Sequence, residues 1–411
     1  MRLLVQKFGG SSLATAELRQ QVVEHICMAK QSGKQVVVVV SAIGRQGDAY
    51  ATDTLLDFLY QVTENPPGRE KDLLLACGEI IAAAVMAAAV TKSGLEAVAL
   101  TGWQAGIVTD GMFGRAEIIR IDREKILCHL QKNNIVVVAG FQGINEEGDI
   151  TTLGRGGSDT TAVALGAALN AELVEIYSDV DTVMTADPRL VPEAQPIKNI
   201  GYYEVLQMAR EGAKVIHPRA VDLALQYNIP LLLKKTGTQA PGTLITHLQA
   251  AGGQTLAKKA NVVTGITHSN NLAQVRLQAP LADSKQLEEM LQRLSTAGIS
   301  IDLISLSPRE QMFTVPAREE KRVKEILQDL GCPAEVINGF AKVTVVGSGM
   351  RDMPGVMARI VAALNRAQTP ILQTADSHLS ISCLVPVDKA AAAARALHLE
   401  FGLHEVSVKL L

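Results

Sequence analysis

VVVVV (36–40) contains no polar position, and IVVVA (135–139) repeats the pattern. A strand with one wet face alternates apolar and polar residues. A run that is apolar throughout suits a central strand covered on both sides. Working outward, Arg2–Gln6, Gln35–Val40, Glu96–Leu100, Ile135–Ala139, Leu173–Tyr177 and Ile229–Lys234 read as strands. Longer helical patterns lie between them: Glu17–Gln31, Lys71–Lys92, Arg123–Lys132, Asp159–Leu169, Tyr203–Ala209 and Arg219–Gln226. This alternation predicts an open, mainly parallel α/β sheet with helices on both faces, spanning residues 1–245.

Several of these strands end in glycine or small polar residues. Gln6 runs into KFGGSS, Val40 into Ser41, Leu100 into Thr101-Gly102, Ala139 into Gly140, and Tyr177 into Ser178-Asp179. Ligands of open α/β sheets sit beyond the carboxyl ends of the strands, so these ends are expected to converge on one site.

Composition narrows the function classes. The 411 residues are 47% hydrophobic and 20% charged, with 39 basic against 42 acidic side chains and a net charge of −3. That balance lacks the basic excess needed to neutralise a nucleic-acid backbone, and 3% aromatics gives little base-stacking surface. The five cysteines (27, 77, 128, 332, 383) form no CxxC pair, which suits free thiols in a reducing cytoplasm. The N-terminal apolar stretch is too short for a signal peptide. The longest apolar run, Ile80–Val90, falls below the ~18 residues of a membrane span. The expectation is a cytoplasmic protein that binds neither nucleic acid nor membrane.

THLQAAGGQTLAKKA (246–260) loses apolar periodicity and reads as a linker. Beyond it Leu294, Ala297 and Ile301 recur as Leu364, Ala367 and Ile371 at an offset of 70. Each copy reads βαββαβ, the ferredoxin-like order. Two such domains are expected in series, at 261–338 and 339–411, the second closing with a strand over 404–410.

Two glycine-rich loops carry cations. VQKFGGSSL (5–13) places Lys7 and two glycines after a strand, where backbone N–H groups approach a phosphate closely. It is neither a Walker A loop nor a GxGxxG fingerprint. TLGRGGSDTT (152–161) adds Arg155, a planar fork for carboxylate or phosphate, with Asp159 as a plausible helix N-cap. Two such loops in one domain suggest two anionic groups held together, as phosphoryl transfer requires. In YSDVDTVMTADPR (177–189), Asp179 and Asp181 fit either a metal ion or the caps of turns. Lys214 suits either a nucleotide phosphate or solvent, and His217 before Pro218 reads as structural. Glu79 lies inside the apolar LLLACGEIIAAAV, where a carboxylate is costly without a cation. A substrate amino group or an internal base would serve.

VQKFGGSSL resembles the N-terminal signature of the aspartate kinases. CGE (77–79), TGWQAG (101–106), GFQG (140–143), TLGRGGSDTTA (152–162), DVDTVMTADPR (179–189) and GAKVIHP (212–218) follow in that family's order. The C-terminal repeat resembles tandem ACT domains, which sense amino acids. The resemblance implies an amino-acid-kinase fold followed by two ACT domains. It implies transfer of the γ-phosphoryl group of ATP, with Mg²⁺ bridging the phosphates, to the β-carboxylate of L-aspartate. Lys7 would neutralise the transferred group, Gly9, Gly10 and Ser11 would supply close hydrogen bonds, and Asp159 would order the groups around the phosphates. Arg155, Gly156, Gly157 and Ser158 would hold the substrate carboxylates, Glu79 its amino group, and Ser41 or Thr52 would help orient it. Phe8, Ser178, Asp179, Met184, Asp187, Arg189 and Lys214 would line the nucleotide site. No general base or protein metal ligand is implied.

An end-product effector, lysine, threonine or meso-diaminopimelate, would bind near Asp283, Met353, Pro354, Gly355, Gln373 and Thr374, and a homodimer would form through the ACT domains. Thr182 stands where the family has glycine, Met184 where many members have tyrosine, and His378 where glutamate is common. Another amino-acid kinase, acting on glutamate or acetylglutamate, is disfavoured by the ACT pair and the full motif set. An amino-acid sensor on a degenerate kinase scaffold is disfavoured by intact Lys7, Arg155 and Asp159.

Overall fold

The computed structural model describes residues 2–179, 181–213, 215–238, 240–247, 263–277, 284–307, 310–350 and 353–405. Among them the chain forms two compact units, Met1–Val183 with Pro196–Ala209 and Lys214–Gly253, and Met184–Gln195 with Arg210–Ala213 and Gln254–Leu411.

The first unit is built on strands β1 (Leu3–Phe8), β2 (Gln35–Val40), β3 (Ala97–Leu100), β4 (Ile107–Thr109), β5 (Ile118–Ile121), β6 (Ile135–Ala139), β7 (Gln142–Ile144), β8 (Ile150–Thr152), β9 (Leu173–Ser178), β10 (Asn199–Gly201), β11 (Leu231–Lys235) and β12 (Thr243–Thr246). Its helices are α1 (Ala16–Gln31), α2 (Thr52–Tyr60), α3 (Gly68–Lys92), α4 (Glu124–Gln131), α5 (Gly157–Ala168), α6 (Tyr202–Arg210) and α7 (Pro218–Tyr227). The main sheet runs β10-β12-β11-β9-β1-β2-β6-β3. From β11 to β3 every neighbouring pair is parallel. All five valines of β2 are fully buried, as a strand covered on both faces requires. The five polar strand ends read from sequence belong to β9, β1, β2, β6 and β3, which are consecutive neighbours and so form one crest.

Sequence periodicity missed a second, four-stranded sheet, β5-β4-β7-β8. Its strands are three or four residues long, too short to show alternation. It is fastened to α3 by a residue that sequence reasoning also passed over. Asp72 is fully buried and accepts from the Gly114 N–H (2.8 Å), the Thr152 N–H (2.7 Å) and the Thr152 hydroxyl (2.9 Å).

Helix α3 carries both Asp72 and Glu79. By length and composition it is apolar enough to cross a bilayer, with mean hydropathy 2.3 over its most apolar 18 residues and half of that window buried in the fold. Reading Glu79 as an interruption hid that length.

The second unit contains β13 (Gly265–Leu277), α8 (Ser284–Thr296), β14 (Asp302–Leu306), β15 (Gln311–Pro316), α9 (Glu320–Asp329), β16 (Ala334–Val346), α10 (Val356–Arg366), β17 (Gln373–Asp376), β18 (Ser380–Pro386) and α11 (Ala390–Glu400). They form one antiparallel sheet, β14-β15-β13-β16-β18-β17. Both βαββαβ copies are visible, but they share their long central strands. Residues 272–277 of β13 complete the first copy against 334–340, whereas 265–269 lie beside 342–346. The N-terminal half of β13 therefore takes the edge expected for 404–410. Of that expected strand, 404 and 405 form a turn and the rest lies outside the described residues. Pairing does not divide at 338/339.

The 246–260 stretch falls almost wholly outside the described residues. Two pieces of the expected 1–245 domain also fold with the second unit. Ala186, Val191 and Ala194 join the core around Val343, Ile360 and Leu397. Thr185 hydrogen-bonds the buried His398 at 2.8 Å.

Asp72→Ala removes the acceptor for three donors, two of them buried. It should lower unfolding free energy by about 3 kcal/mol, measured by urea denaturation. Asp72→Asn, which keeps one acceptor oxygen, should lose less.

Candidate active site

Successive residues of a strand face opposite sides of its sheet. Phe8 faces α1 and joins its core, so Lys7 faces the other side, where α5 lies. There its ammonium meets the Asp159 carboxylate at 2.6 Å. Asp159 is in the first turn of α5, but the N-cap is Gly156, in the left-handed region at φ 72°. The N-cap reading of Asp159 is thus corrected: its partner is Lys7. Both side chains are largely enclosed, 11% and 14% exposed.

The loop after β1 is pinned on two sides. Gly9 N–H donates to Tyr177 O on β9 at 3.2 Å, and Gly44 N–H donates to Gly10 O at 3.0 Å. A Cβ at Gly10 would fall 2.3 Å from Ala42 O, so only glycine fits there. Gly10 opens the short 3-10 turn Gly10–Leu13, which carries Ser11. The segment after β2 also reaches α3: Ala42 N–H donates to Glu79 Oε1 at 3.1 Å. Ser41 precedes it and Thr52 begins α2.

Glu79 is 2% exposed, and its Oε2 is buried with no hydrogen-bond partner. Burial in the apolar helix pushes its pKa up to about 8, against the pull of the Ala42 N–H. Among the described residues no lysine, arginine or histidine forms an ion pair with it.

On the facing side, Gly156 turns under His217, whose ring would lie 2.1 Å (Cγ) from any Cβ at that position. His217 also caps α7, its Nδ1 accepting from Arg219 N–H at 3.3 Å, so its structural reading holds. Arg219 in turn donates to Leu153 O at 2.8 Å. Burial, ahead of the opposing pull of Asp159, lowers the His217 pKa. Gly157 and Ser158 are buried, with Ser158 packed on Gly140 at the end of β6. Arg155 is exposed and makes no hydrogen bond among the described residues. One edge of the crest thus gathers Lys7, Gly9, Gly10, Ser11, Ser41, Glu79, Gly156, Gly157, Ser158 and Asp159, whereas the fully buried Phe8 ring, expected to line a nucleotide site, packs in the α1 core instead.

Other expected residues stand elsewhere. Ser178 ends β9, and the exposed Asp179 pairs with Arg45 at 2.8 Å. Asp181 pairs with Lys235 at 3.4 Å. Among the described residues no group of three or more His, Cys, Asp or Glu side chains is arranged to hold a metal. Met184, Asp187 and Arg189 belong to the second unit, where Asp187 and Arg189 bind each other at 2.7 Å. Arg189 lowers the Asp187 pKa chiefly through that hydrogen bond. Met353, Pro354 and Gly355 form an exposed turn leading into α10. Gln373 is buried and accepts from Gln274 at 2.9 Å, with exposed Thr374 beside it. Lys214 and Asp283 lie outside the described residues.

Comparison with known proteins gives consistent matches. The amino acid kinase family profile matches residues 2–235, and an ACT domain profile matches 335–399. Aspartokinase 1 of Bacillus subtilis is 42% identical over 405 residues, covering 98% of this chain and all of that protein. Two structures of Escherichia coli aspartokinase III match the fold at 24% identity, each covering 97% of this chain and 99% of theirs. One, with aspartate and ADP, gives a TM-score of 0.72, and the other, with lysine and aspartate, gives 0.76.

Lys7 and Asp159 form an ion pair that is largely enclosed by the fold. Removing one partner strands the other charge, at a cost below the ~3–5 kcal/mol of a fully buried pair because some solvent reaches both. Lys7→Met and Asp159→Leu should each destabilise by about 2 kcal/mol, and the double variant should recover much of that loss. Chemical denaturation of all three proteins measures the coupling.

Proposed function

The chain belongs to the aspartokinases of the amino acid kinase family, and on that premise we propose that it transfers the γ-phosphoryl group of ATP to the β-carboxylate of L-aspartate, giving 4-phospho-L-aspartate. The observation that carries the acceptor assignment is Glu79. A buried carboxylate with one unpartnered oxygen needs a cation. It is tied through Ala42 to the segment that holds Gly10. An ammonium group bound there lies beside a phosphate loop, as an amino-acid acceptor requires.

In this reading Glu79 binds the α-ammonium, and Arg155 with Ser158 and the Gly156–Gly157 turn holds carboxylate. Ser41 and Thr52 flank the acceptor. Its β-carboxylate is ionised at neutral pH and attacks directly, so no general base is required. Positioning and charge neutralisation then supply the catalysis. Lys7 offsets charge on the transferred group, Asp159 fixes Lys7, and the N–H groups of Gly10 and Ser11 face the phosphates, that of Gly9 being held by Tyr177 O. Ser178, Asp179 and Lys214 are assigned to the nucleotide; Phe8, fully buried in the α1 core, is not.

Mg²⁺, held mainly by phosphate oxygens and water rather than by a protein cage, would neutralise the phosphates. Asp179 and Asp181, the carboxylates beside the assigned nucleotide residues, pair with Arg45 and Lys235 respectively.

The ACT region is assigned feedback inhibition by lysine, threonine or meso-diaminopimelate, at the 353–355 turn and Gln373–Thr374, and a dimer contact with a second copy. The presence of lysine in the E. coli structure supports an amino-acid effector. The free thiols suit a cytoplasmic enzyme.

Release of ADP from Mg-ATP tests the acceptor. Turnover is expected with L-aspartate and not with glutamate, N-acetylglutamate or N-acetylaspartate. Equal turnover with an N-acetylated acid would remove the role of Glu79.

The raised pKa of Glu79 gives a signed pH dependence. Below pH 8 the free enzyme holds a proton that ammonium binding must expel. KM for aspartate should therefore fall as pH rises from 6 to 8, by up to about tenfold per unit. Glu79→Gln should raise KM and flatten this slope. The linkage also predicts that the free protein loses stability between about pH 4.5 and 8, since the folded state binds the extra proton. Added aspartate should stabilise wild type more at pH 8.5 than at 6.5, read as melting temperature.

A further inference from the structure

The reverse face of β1 holds a polar cluster that the reaction does not use. Gln6 and Phe8, which flank Lys7, point toward α1. In register, Gln6 lies opposite Glu175 on β9, and Phe8 opposite Tyr177. Gln6 Nε2 donates to Glu175 Oε2 at 2.8 Å, and the Tyr177 hydroxyl donates to the same oxygen at 3.0 Å. The Tyr177 ring stacks on Phe8 with centroids 4.6 Å apart. Lys234 on β11 stands 3.7 Å from Glu175 Oε1 and 5.4 Å from the centre of the Tyr177 ring. The His25 ring of α1 closes the cluster, 4.7 Å from Tyr177. Gln6, Tyr177, Glu175 and His25 are all buried.

Such a cluster is unexpected in a central parallel sheet. The adjacent β2 uses only valine at the equivalent depth, and burying a carboxylate with an ammonium costs several kcal/mol before any return. The return is geometric. Two neighbours of Lys7 are held on one face, Gln6 by hydrogen bond and Phe8 by stacking, while Tyr177 O also binds the Gly9 N–H. The backbone of Lys7 is therefore fixed on both sides and cannot slide along β9. Apolar contacts would leave it more freedom, because they are non-directional.

We infer that Glu175 and Tyr177 are positioning residues for phosphoryl transfer: from the reverse face of the sheet they clamp Gln6, Phe8 and Gly9, and so set the place of Lys7 and the phosphate loop. The inference rests on Lys7 and this loop acting on the phosphates. Neither clamp residue touches substrate. Misplacing a charge-neutralising group by about 1 Å is enough to cost up to 10²-fold in rate.

The test compares wild type, Glu175→Gln, Tyr177→Phe and the exchanged pair Gln6→Glu/Glu175→Gln, all well below their melting temperatures. Glu175→Gln should lower kcat about tenfold, and Tyr177→Phe by less because stacking survives. Both should weaken binding of the non-hydrolysable analogue Mg-AMPPNP, read by calorimetry, while KM for aspartate stays within about twofold. The exchanged pair restores one carboxylate facing one amide and should recover most of kcat. A purely structural role would lower the melting temperature and leave kcat and nucleotide affinity of the folded protein intact. Wild-type kcat and AMPPNP affinity in both single variants overturn the clamp. A kcat loss that the exchanged pair fails to recover also overturns it. If wild type binds AMPPNP but does not turn over aspartate, the acceptor assignment fails separately, and the AMPPNP affinities of the variants still decide the clamp.

Discussion

The 2.6 Å contact between Lys7 and Asp159 exists because a parallel strand sends alternate side chains to opposite faces and is covered on both. Had β1 been an edge strand or half-exposed, its lysine would point to water. At the centre of the sheet, Lys7 instead meets the first turn of α5, where backbone N–H groups already favour negative charge. The same alternation sends Gln6 and Phe8 into the α1 layer. One strand therefore carries both the face that presents Lys7 and a face that anchors it.

The segment after β2 has a comparable double role. Ala42 presents its carbonyl to Gly10 and its N–H to Glu79. Three consecutive parts of the chain, separated by tens of residues, are thereby held around one short loop. This is why a glycine is required at position 10 and why a carboxylate survives inside an apolar helix. Asp72 and Glu79 on the same helix make the contrast plain. Asp72 has three donors and acts as a fastener. Glu79 has, among the described residues, one donor and a bare oxygen, which makes its ionised form costly and raises its pKa.

Much of this was readable in the chain. The strands β1, β2, β3, β6, β9 and β11 were each legible as short apolar runs, β-branched over 36–40 in β2 and nearly throughout in β6, and the polar ends of all but β11 marked the crest. Glu79 stood out as a carboxylate inside an apolar helix, Lys7 and Arg155 as cations on glycine-rich loops, and Asp159 only as a helix cap. The four-stranded sheet was not legible, because strands of three or four residues carry no usable period. Nor was the division between units. Met184–Gln195 follows β9 in sequence, but Ala186, Val191 and Ala194 find their apolar partners in the second core. The place expected for 404–410 is taken by 265–269 for a related reason: β13 and β16 are each 13 residues long and pair along their whole length, so their two halves serve both copies.

By itself, then, the sequence determined the local elements, the two glycine-rich cationic loops and the kind of chemistry they suit. Those features depend on side-chain pattern and turn chemistry within a few residues. Which charge meets which was decided only by tertiary structure. Asp159 reads as a helix cap until β1 brings Lys7 to it, and Gln6, Glu175 and Tyr177 look like ordinary strand residues until register places them around one carboxylate. Distance in space between residues far apart in the chain is set by sheet order and register, and no local pattern records either.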